Sequence, residues 1–335
     1  MLTYVLRRLV LLGPVLLGIS LLTFTLMQLI PGDPVLIMLQ GEGRSAEDVA
    51  RIRAQWGLDQ PAAVQYVSYL SRLVTGDFGR SFMLQRPVLG VILESLPATI
   101  ELAGVSLVVA VGISVPLGIV SAINHRGAFD RLATLVAVLG ISMPGFWIGL
   151  LLVLAFSVTL GWLPASGRLE YRVGLQQVTG FYLLDSVLTG NVEALANALA
   201  HLAIPALVLG SAMGAVTTRM VRSSMLEVIR QDYVVCARSK GLAERVVITS
   251  HMIRNALPPV VTIIGIQAGT ILGGAVIIET IFAWPGIGRL TVQAISARDY
   301  FLLQGIVLFF ALTRVFFNVL TDVLYGVLDP RIRFS

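Results

Sequence analysis

The sequence predicts an all-α polytopic membrane protein with six transmembrane helices. Three observations carry that expectation. Of 335 residues, 56% are hydrophobic and only 13% charged, against roughly 25% charged in an average soluble domain, and mean hydropathy is +0.86. Six segments are apolar over the ~20 residues needed to cross ~30 Å of hydrocarbon at 1.5 Å per residue. The basic residues between those segments collect on alternate loops. The same composition excludes a disordered chain, a disulfide scaffold and a typical soluble enzyme.

The first segment runs from Leu9 to Ile30, uncharged, behind Arg7 and Arg8. Its length exceeds the apolar region of a signal peptide, and no small-residue cleavage pattern follows, so it reads as an uncleaved anchor. It stops at Pro31-Gly32-Asp33-Pro34. Residues 31–97 are the longest polar stretch; Glu47–Trp56 has the mixed character of a short soluble helix, and Asp59-Gln60-Pro61, Gly76-Asp77-Phe78-Gly79 and Arg86-Pro87 read as turns. Further spans are expected over Ala98–Ile123, Leu132–Leu160, Leu199–Val221, Val260–Phe282 and Phe301–Leu328, with polar loops at 124–131, 161–198, 222–259 and 283–300. The domain reading is therefore 1–30 cytoplasmic N-terminus and first helix, 31–97 extracytoplasmic segment, 98–328 membrane domain and 329–335 tail.

Six crossings place both termini on one side. The N-terminus, the 124–131 and 222–259 loops and the tail together carry twelve basic and five acidic residues, whereas the opposite loops are nearly balanced. The positive-inside rule makes the basic side, with both termini, cytoplasmic, so the net +5 is a sidedness signal and gives no reason to invoke nucleic acid. Cys236 is the sole cysteine, and His125, His201 and His251 are scattered. No disulfide, zinc or iron–sulfur site follows from them.

The 222–259 loop is the most informative segment. Met225, Ile229, Val234 or Val235, and Ser239 fall at near-helical spacing, Gly241 suits a helix C-terminus, and Glu244–Asn255 suits a second helix. Helix, glycine turn and helix, with arginines outward, is too short for an ATPase and lacks a phosphate-binding loop, but suits docking onto one.

This loop resembles the EAA loop of ABC importer permeases, with Val235-Cys236-Ala237 at the Glu-Ala-Ala positions and Gly241 at the glycine. The family's later proline is missing near His251–Arg254. The peptide and nickel branch fits better, through Ala237-Arg238-Ser239-Lys240-Gly241-Leu242 and Arg254-Asn255-Ala256-Leu257-Pro258. The resemblance extends through Leu6-Arg7-Arg8-Leu9, Pro31-Gly32-Asp33-Pro34, Leu96–Leu102, Ser142-Met143-Pro144, Arg222–Met225, Glu279–Leu290, Asp322–Gly326 and Asp329-Pro330-Arg331. The chain is thus similar to the B-type permeases of dipeptide and oligopeptide importers, with the type I ABC importer permease fold.

That resemblance implies a non-catalytic translocation subunit of the bacterial inner membrane. It implies pairing with a homologous C-type permease, docking of two cytoplasmic ATPase subunits that bind ATP and magnesium, and delivery of dipeptides or short oligopeptides by an extracytoplasmic binding protein. No cofactor or metal belongs to this chain itself. The coupling residues are then Val235, Cys236, Ala237, Arg238, Ser239, Lys240, Gly241 and Leu242, with Lys240, the only lysine, facing an acidic groove or merely offsetting a helix dipole. Glu101, Glu279 and Arg314 are candidate pathway-lining residues. For the two glutamates the alternative is a structural role near the outer interface. Arg314, thirteen residues into the sixth span, requires a partner, a carbonyl cluster or a wet cavity. Nickel, glutathione and other peptide-like cargo remain alternatives; a secondary carrier leaves the docking loop unexplained, and a membrane receptor or scaffold binding a partner through residues 31–97 is the third reading.

Overall fold

The computed structural model describes residues 2–29 and 46–328. The motifs at residues 31–34 and 329–331 lie outside the described residues. The described chain is helical, apart from turns, loops and one isolated bridge between Arg80 and Pro87. In order the helices are Leu2–Leu29 (α1), Ala46–Trp56 (α2), Ala62–Val74 (α3), Val88–Ile123 (α4), Ala128–Ser142 (α5), Gly145–Leu152 (α6), Tyr182–Leu188 (α7) and Val192–Ile229 (α8). Asp232–Ser239 (α9), Arg254–Gly274 (α10), Val276–Ile281 (α11), Ile287–Ser296 (α12) and Tyr300–Leu328 (α13) follow. The chain divides into two compact units, Met1–Pro97 with Gly286–Phe316, and Ala98–Pro285 with Phe317–Ser335.

The first unit closes around an apolar core. Val88, Val91 and Ile92 pack with Ile287, Leu290, Leu302 and Ile306, and Gly305 allows the close approach, since an added Cβ would stand 2.4 Å from Val88 Cγ1. Trp56 stacks on Phe82 at 4.4 Å between ring centroids, and Phe301 completes the cluster at 5.3 and 5.1 Å. Asp299 organises the start of α13. Its carboxylate accepts from Leu302 N at 3.1 Å, the geometry of a helix cap, and from Ser81 Oγ at 2.5 Å and Met83 N at 2.9 Å. Asp299→Ala leaves three donors without this acceptor. The expected loss is about 1–3 kcal/mol, read as a lower melting temperature of the detergent-solubilised protein.

The second unit is organised by the pairing of α4 and α8. Ser106, Ala110, Ser114 and Gly118 recur every fourth residue and form a narrow stripe on α4. Gly210, Gly214 and Thr218 answer it on α8: an added Cβ on Gly210 would meet Ser106 O at 2.8 Å, and one on Gly118 would meet Val221 Cβ at 2.6 Å. Small residues let two helix backbones approach closely enough for dense van der Waals contact. Ser106 faces Gly210 and Gly118 faces Val221, so the two helices run parallel. The α5–α6 segment runs antiparallel to α8, from the Asp130–Arg222 pair through Gly140 beside Ala215 to Gly149 beside Val208. So does α10, from the Val260–Val221 cluster to Gln267, which donates to Met213 O at 3.4 Å.

Several helix limits depart from the sequence expectation. The second helix begins at Val88, before Ala98, and α8 runs past Val221 to Ile229. The expected third span is not one straight helix: Ala128–Gly140 and Gly145–Thr159 are bent by more than 40°. Met143 is extended (ψ 135°) in front of Pro144, because a proline ring crowds the preceding residue out of helical backbone. Beyond Leu152 the helix widens into a π-helical stretch, Val153–Thr159. The fifth stops at Gly274 and restarts at Val276. By length and apolarity α4 and α8 each suffice to cross a bilayer, and the bent pair makes a third if taken as one span.

Candidate coupling surface and translocation pathway

The 222–259 segment folds as helix, glycine turn and helix. Helix α9 is held from beneath by Val234 and Ala237, both buried in a cluster with Val221, Met225, Val228, Val247 and Met252. It ends at Lys240 and Gly241. Gly241 N–H donates to Arg238 O at 2.9 Å and Leu242 N–H to Ala237 O at 3.4 Å, the paired bonds of a Schellman turn. Gly241 has φ +74°, a backbone region that side chains with a Cβ disfavour. Arg238 then bridges the turn to Glu244, Nε to Oε2 at 3.2 Å and Nη2 to Oε1 at 2.5 Å. That partnership holds the Glu244 carboxyl below its ordinary value. The second helix opens with Glu244–Val246 and a π-helical stretch, Val247–Ile253, ahead of Pro258 and Pro259.

The face turned outward is distinctive. Tyr233, Val235, Leu242 and Val246 are exposed large side chains, and Cys236, Ser239 and Lys240 are exposed beside them. Of the expected coupling residues only Ala237 is buried.

A charged clamp lies where α8 approaches this segment. Asp130, at the start of α5, accepts from Arg222 Nε at 2.7 Å and Nη2 at 2.9 Å, from Ser121 Oγ at 2.5 Å and from Arg126 N at 2.8 Å. The Arg222 guanidinium first, then Ser121 and the Arg126 amide, overcome burial and hold the Asp130 carboxyl well below the usual carboxylate range. His125 Nδ1 lies 3.1 Å from Arg222 Nη2.

The far end of α4 carries a second cluster. Glu101 is buried and paired with Arg168, Nε at 3.0 Å and Nη2 at 2.7 Å, while its other oxygen accepts Leu183 N at 2.7 Å. The Arg168 guanidinium also lies 3.7 Å above the Tyr182 ring and donates to Gly180 O. Asp185 accepts from Val178 N, Thr179 N, Thr179 Oγ1 and Gly180 N. Burial alone raises the Asp185 carboxyl; these donors outweigh it and hold it below its ordinary value. Glu101 and Ser121 are roughly 20 residues and about 30 Å apart along α4, so the two clusters bracket an apolar length equal to a hydrocarbon core.

Glu279 is fully buried and accepts from Thr99 Oγ1 at 2.8 Å; its backbone oxygen accepts Trp284 N, and Trp284 Nε1 donates to Ala98 O at 2.8 Å. Both glutamates therefore make structural contacts within the chain. Arg314 is on an exposed stretch of α13 with Leu312 and Phe316, and it makes no ion pair among the described residues. Among the described residues no group of three His, Cys, Asp or Glu is placed to hold a metal. Sequence reasoning missed Arg168, Asp185 and the Asp130–Arg222 clamp. An intramembrane carboxylate such as Glu101 signals a cationic partner, but nothing local points across more than sixty residues to Arg168.

The family model for the binding-protein-dependent transport system inner membrane component matches residues 114–334, and the model for the N-terminal part of such components matches 1–103. The chain belongs to this permease family. It is a non-catalytic, multi-pass component of the inner membrane in an ABC transport system, and such systems operate with a binding protein and an ATPase. It is 43% identical over 334 residues to the dipeptide transport system permease protein DppB of Alkalihalophilus pseudofirmus, covering 100% of both chains. It is 44% identical to the protein of that name in Escherichia coli K12 and to the di/tripeptide transport system permease protein DppB of Pseudomonas aeruginosa, at 99% coverage of each chain. In structure it is similar to the inward-facing MetNI methionine ABC transporter, with a TM-score of 0.53 and 15% identity over 72% of this chain and 97% of that one, a likeness of fold.

Proposed function

We propose that this permease imports dipeptides and short oligopeptides, driven by ATP bound with magnesium on two cytoplasmic ATPase subunits and supplied by an extracytoplasmic peptide-binding protein. A homologous C-type permease completes the pathway. Full-length similarity to permeases named for dipeptides and di/tripeptides supports the substrate; nickel or glutathione is the second reading. The chain crosses the membrane six times with both termini cytoplasmic. The alternating directions of α4, α5–α6, α8 and α10 favour successive crossings.

The observation that carries the mechanism is α9, fixed by its buried Val234 and Ala237 and presenting Tyr233 and Val235 on its exposed side. Residues Val235 to Leu242 seat in a groove of the ATPase. ATP binding draws the two ATPase subunits together and pulls the coupling helices with them, exchanging inward-open and outward-open states. Substrate is moved only because its affinity differs between those states. Uptake of labelled dialanine into vesicles holding the complete complex tests this. ATP-dependent uptake is expected; uptake without ATPase subunits, or none in the complete complex, overturns it. Gly241→Val places a β-branched residue at φ +74°, a strain of about 1–3 kcal/mol. Uptake should fall at least about tenfold with membrane insertion unchanged. Gly241→Asn, which tolerates this backbone, should retain more. Normal transport by the valine variant would remove the turn from the coupling element.

A further inference from the structure

The first unit contains a cavity of about 400 Å³, within the size range of small-ligand sites. Its wall is the aromatic cluster of Trp56, Phe82 and Phe301. Arg53 and Arg72 line it, and among the described residues no acidic side chain does. The Arg72 guanidinium lies 5.8 Å from the Phe301 ring centroid. Gln28, Gln60, Gln65 and Gln304 add side-chain amides.

Two tyrosines make this more than a gap in the packing. Tyr69 is 6% exposed, lines the cavity, and its hydroxyl finds no hydrogen-bond partner among the described residues; the Tyr300 hydroxyl, on the same cavity, finds none either. A buried polar group left unbonded is costly, so both hydroxyls call for an acceptor. Burial, with Tyr66 beside it, raises the Tyr69 phenol, which keeps it a donor at physiological pH. The Arg72 guanidinium and two phenols ask for an anion, the aromatic wall asks for an apolar body, and the Gln60 and Gln304 amides match peptide groups.

We propose that this cavity is a peptide-binding site on the extracytoplasmic side of the permease, holding the C-terminal carboxylate of a short peptide at Arg72 and Tyr69. The site rests on the importer reading and on the extracytoplasmic placement of residues 31–97. It would retain a peptide released from the binding protein before the pathway takes it up. A carboxylate on Arg72 satisfies the guanidinium with a charge-assisted bond, and the Trp56 cluster covers the apolar part of the peptide.

Equilibrium binding of labelled dialanine to the complete transporter in nanodiscs, without ATP and without binding protein, tests it. Saturable binding is expected, with C-terminally amidated dialanine failing to compete. Tyr69→Phe keeps the ring and should weaken binding about tenfold, with Arg72→Gln at least as much, while both variants keep the wild-type melting temperature. Equal affinity in wild type and variants, or no saturable binding, overturns the site. Displacement of dialanine by phosphatidylglycerol in the nanodisc, with the amidated peptide binding equally well, also overturns it and assigns the cavity to lipid. ATP-driven uptake through the complete system is measured alongside. Absent wild-type uptake overturns the importer reading, whereas normal uptake without saturable binding overturns the cavity alone.

Discussion

Arg168→Ala is expected to destabilise the permease by about 3–5 kcal/mol, the cost of leaving a buried charge without its partner. The pair is well enclosed, with side-chain exposures of 7% for Arg168 and 4% for Glu101. Removing the guanidinium strips Glu101 of two hydrogen bonds and removes the contact that ties the 161–190 loop to α4 through Gly180 and Tyr182. Glu101→Ala should cost a similar amount for the mirrored reason. The double variant Glu101→Gln with Arg168→Met separates the pair from its surroundings. It leaves no buried charge, so it should be far more stable than the sum of the single losses. Melting temperatures of the four proteins in one detergent give the measurement; additive losses would show that the two side chains act independently.

The second large effect is expected at the opposite end of α4. Asp130→Ala leaves Arg222, Ser121 and the Arg126 amide without their acceptor, which should cost about 3 kcal/mol or more. Transport should fall further than stability alone explains, because Arg222 lies on the last turns of α8 before α9. A variant that folds at reduced temperature and still transports normally would make the clamp purely structural. The pH dependence has a definite sign. A carboxyl whose folded pKa lies below its unfolded value of about 3.9 gives stability that is complete above that value and is lost as pH falls through the folded pKa. Asp130 is held well below the usual range. The melting difference between wild type and Asp130→Asn should therefore stay constant from about pH 5 to 8 and shrink only in stronger acid.

The legible and illegible parts of this protein separate along a physical line. The Schellman turn at Gly241 was readable because a helix stop depends on a glycine and its immediate neighbours. The helices of the apolar segments were readable because hydropathy adds locally over ~20 residues. The break before Pro144 falls inside the expected third span, because hydropathy has no sensitivity to the crowding of Met143 by a proline ring. Glu101 stood out as a charge in an apolar run, but its partner did not, because Arg168 resembles any other loop arginine.

The amino-acid sequence by itself determined that this chain is a helical membrane permease and where the glycine turn after α9 falls. Both follow from short-range sums and signals: apolarity along a segment and backbone preference at one glycine. Only the tertiary structure decided that α4 and α8 run side by side and parallel along their small residues. It also decided that Glu101 meets Arg168 and that Asp130 meets Arg222. Those pairings join positions far apart in the chain, and the choice among possible neighbours is made by close packing and by the cost of burying an unpaired charge, which act only once the helices are assembled.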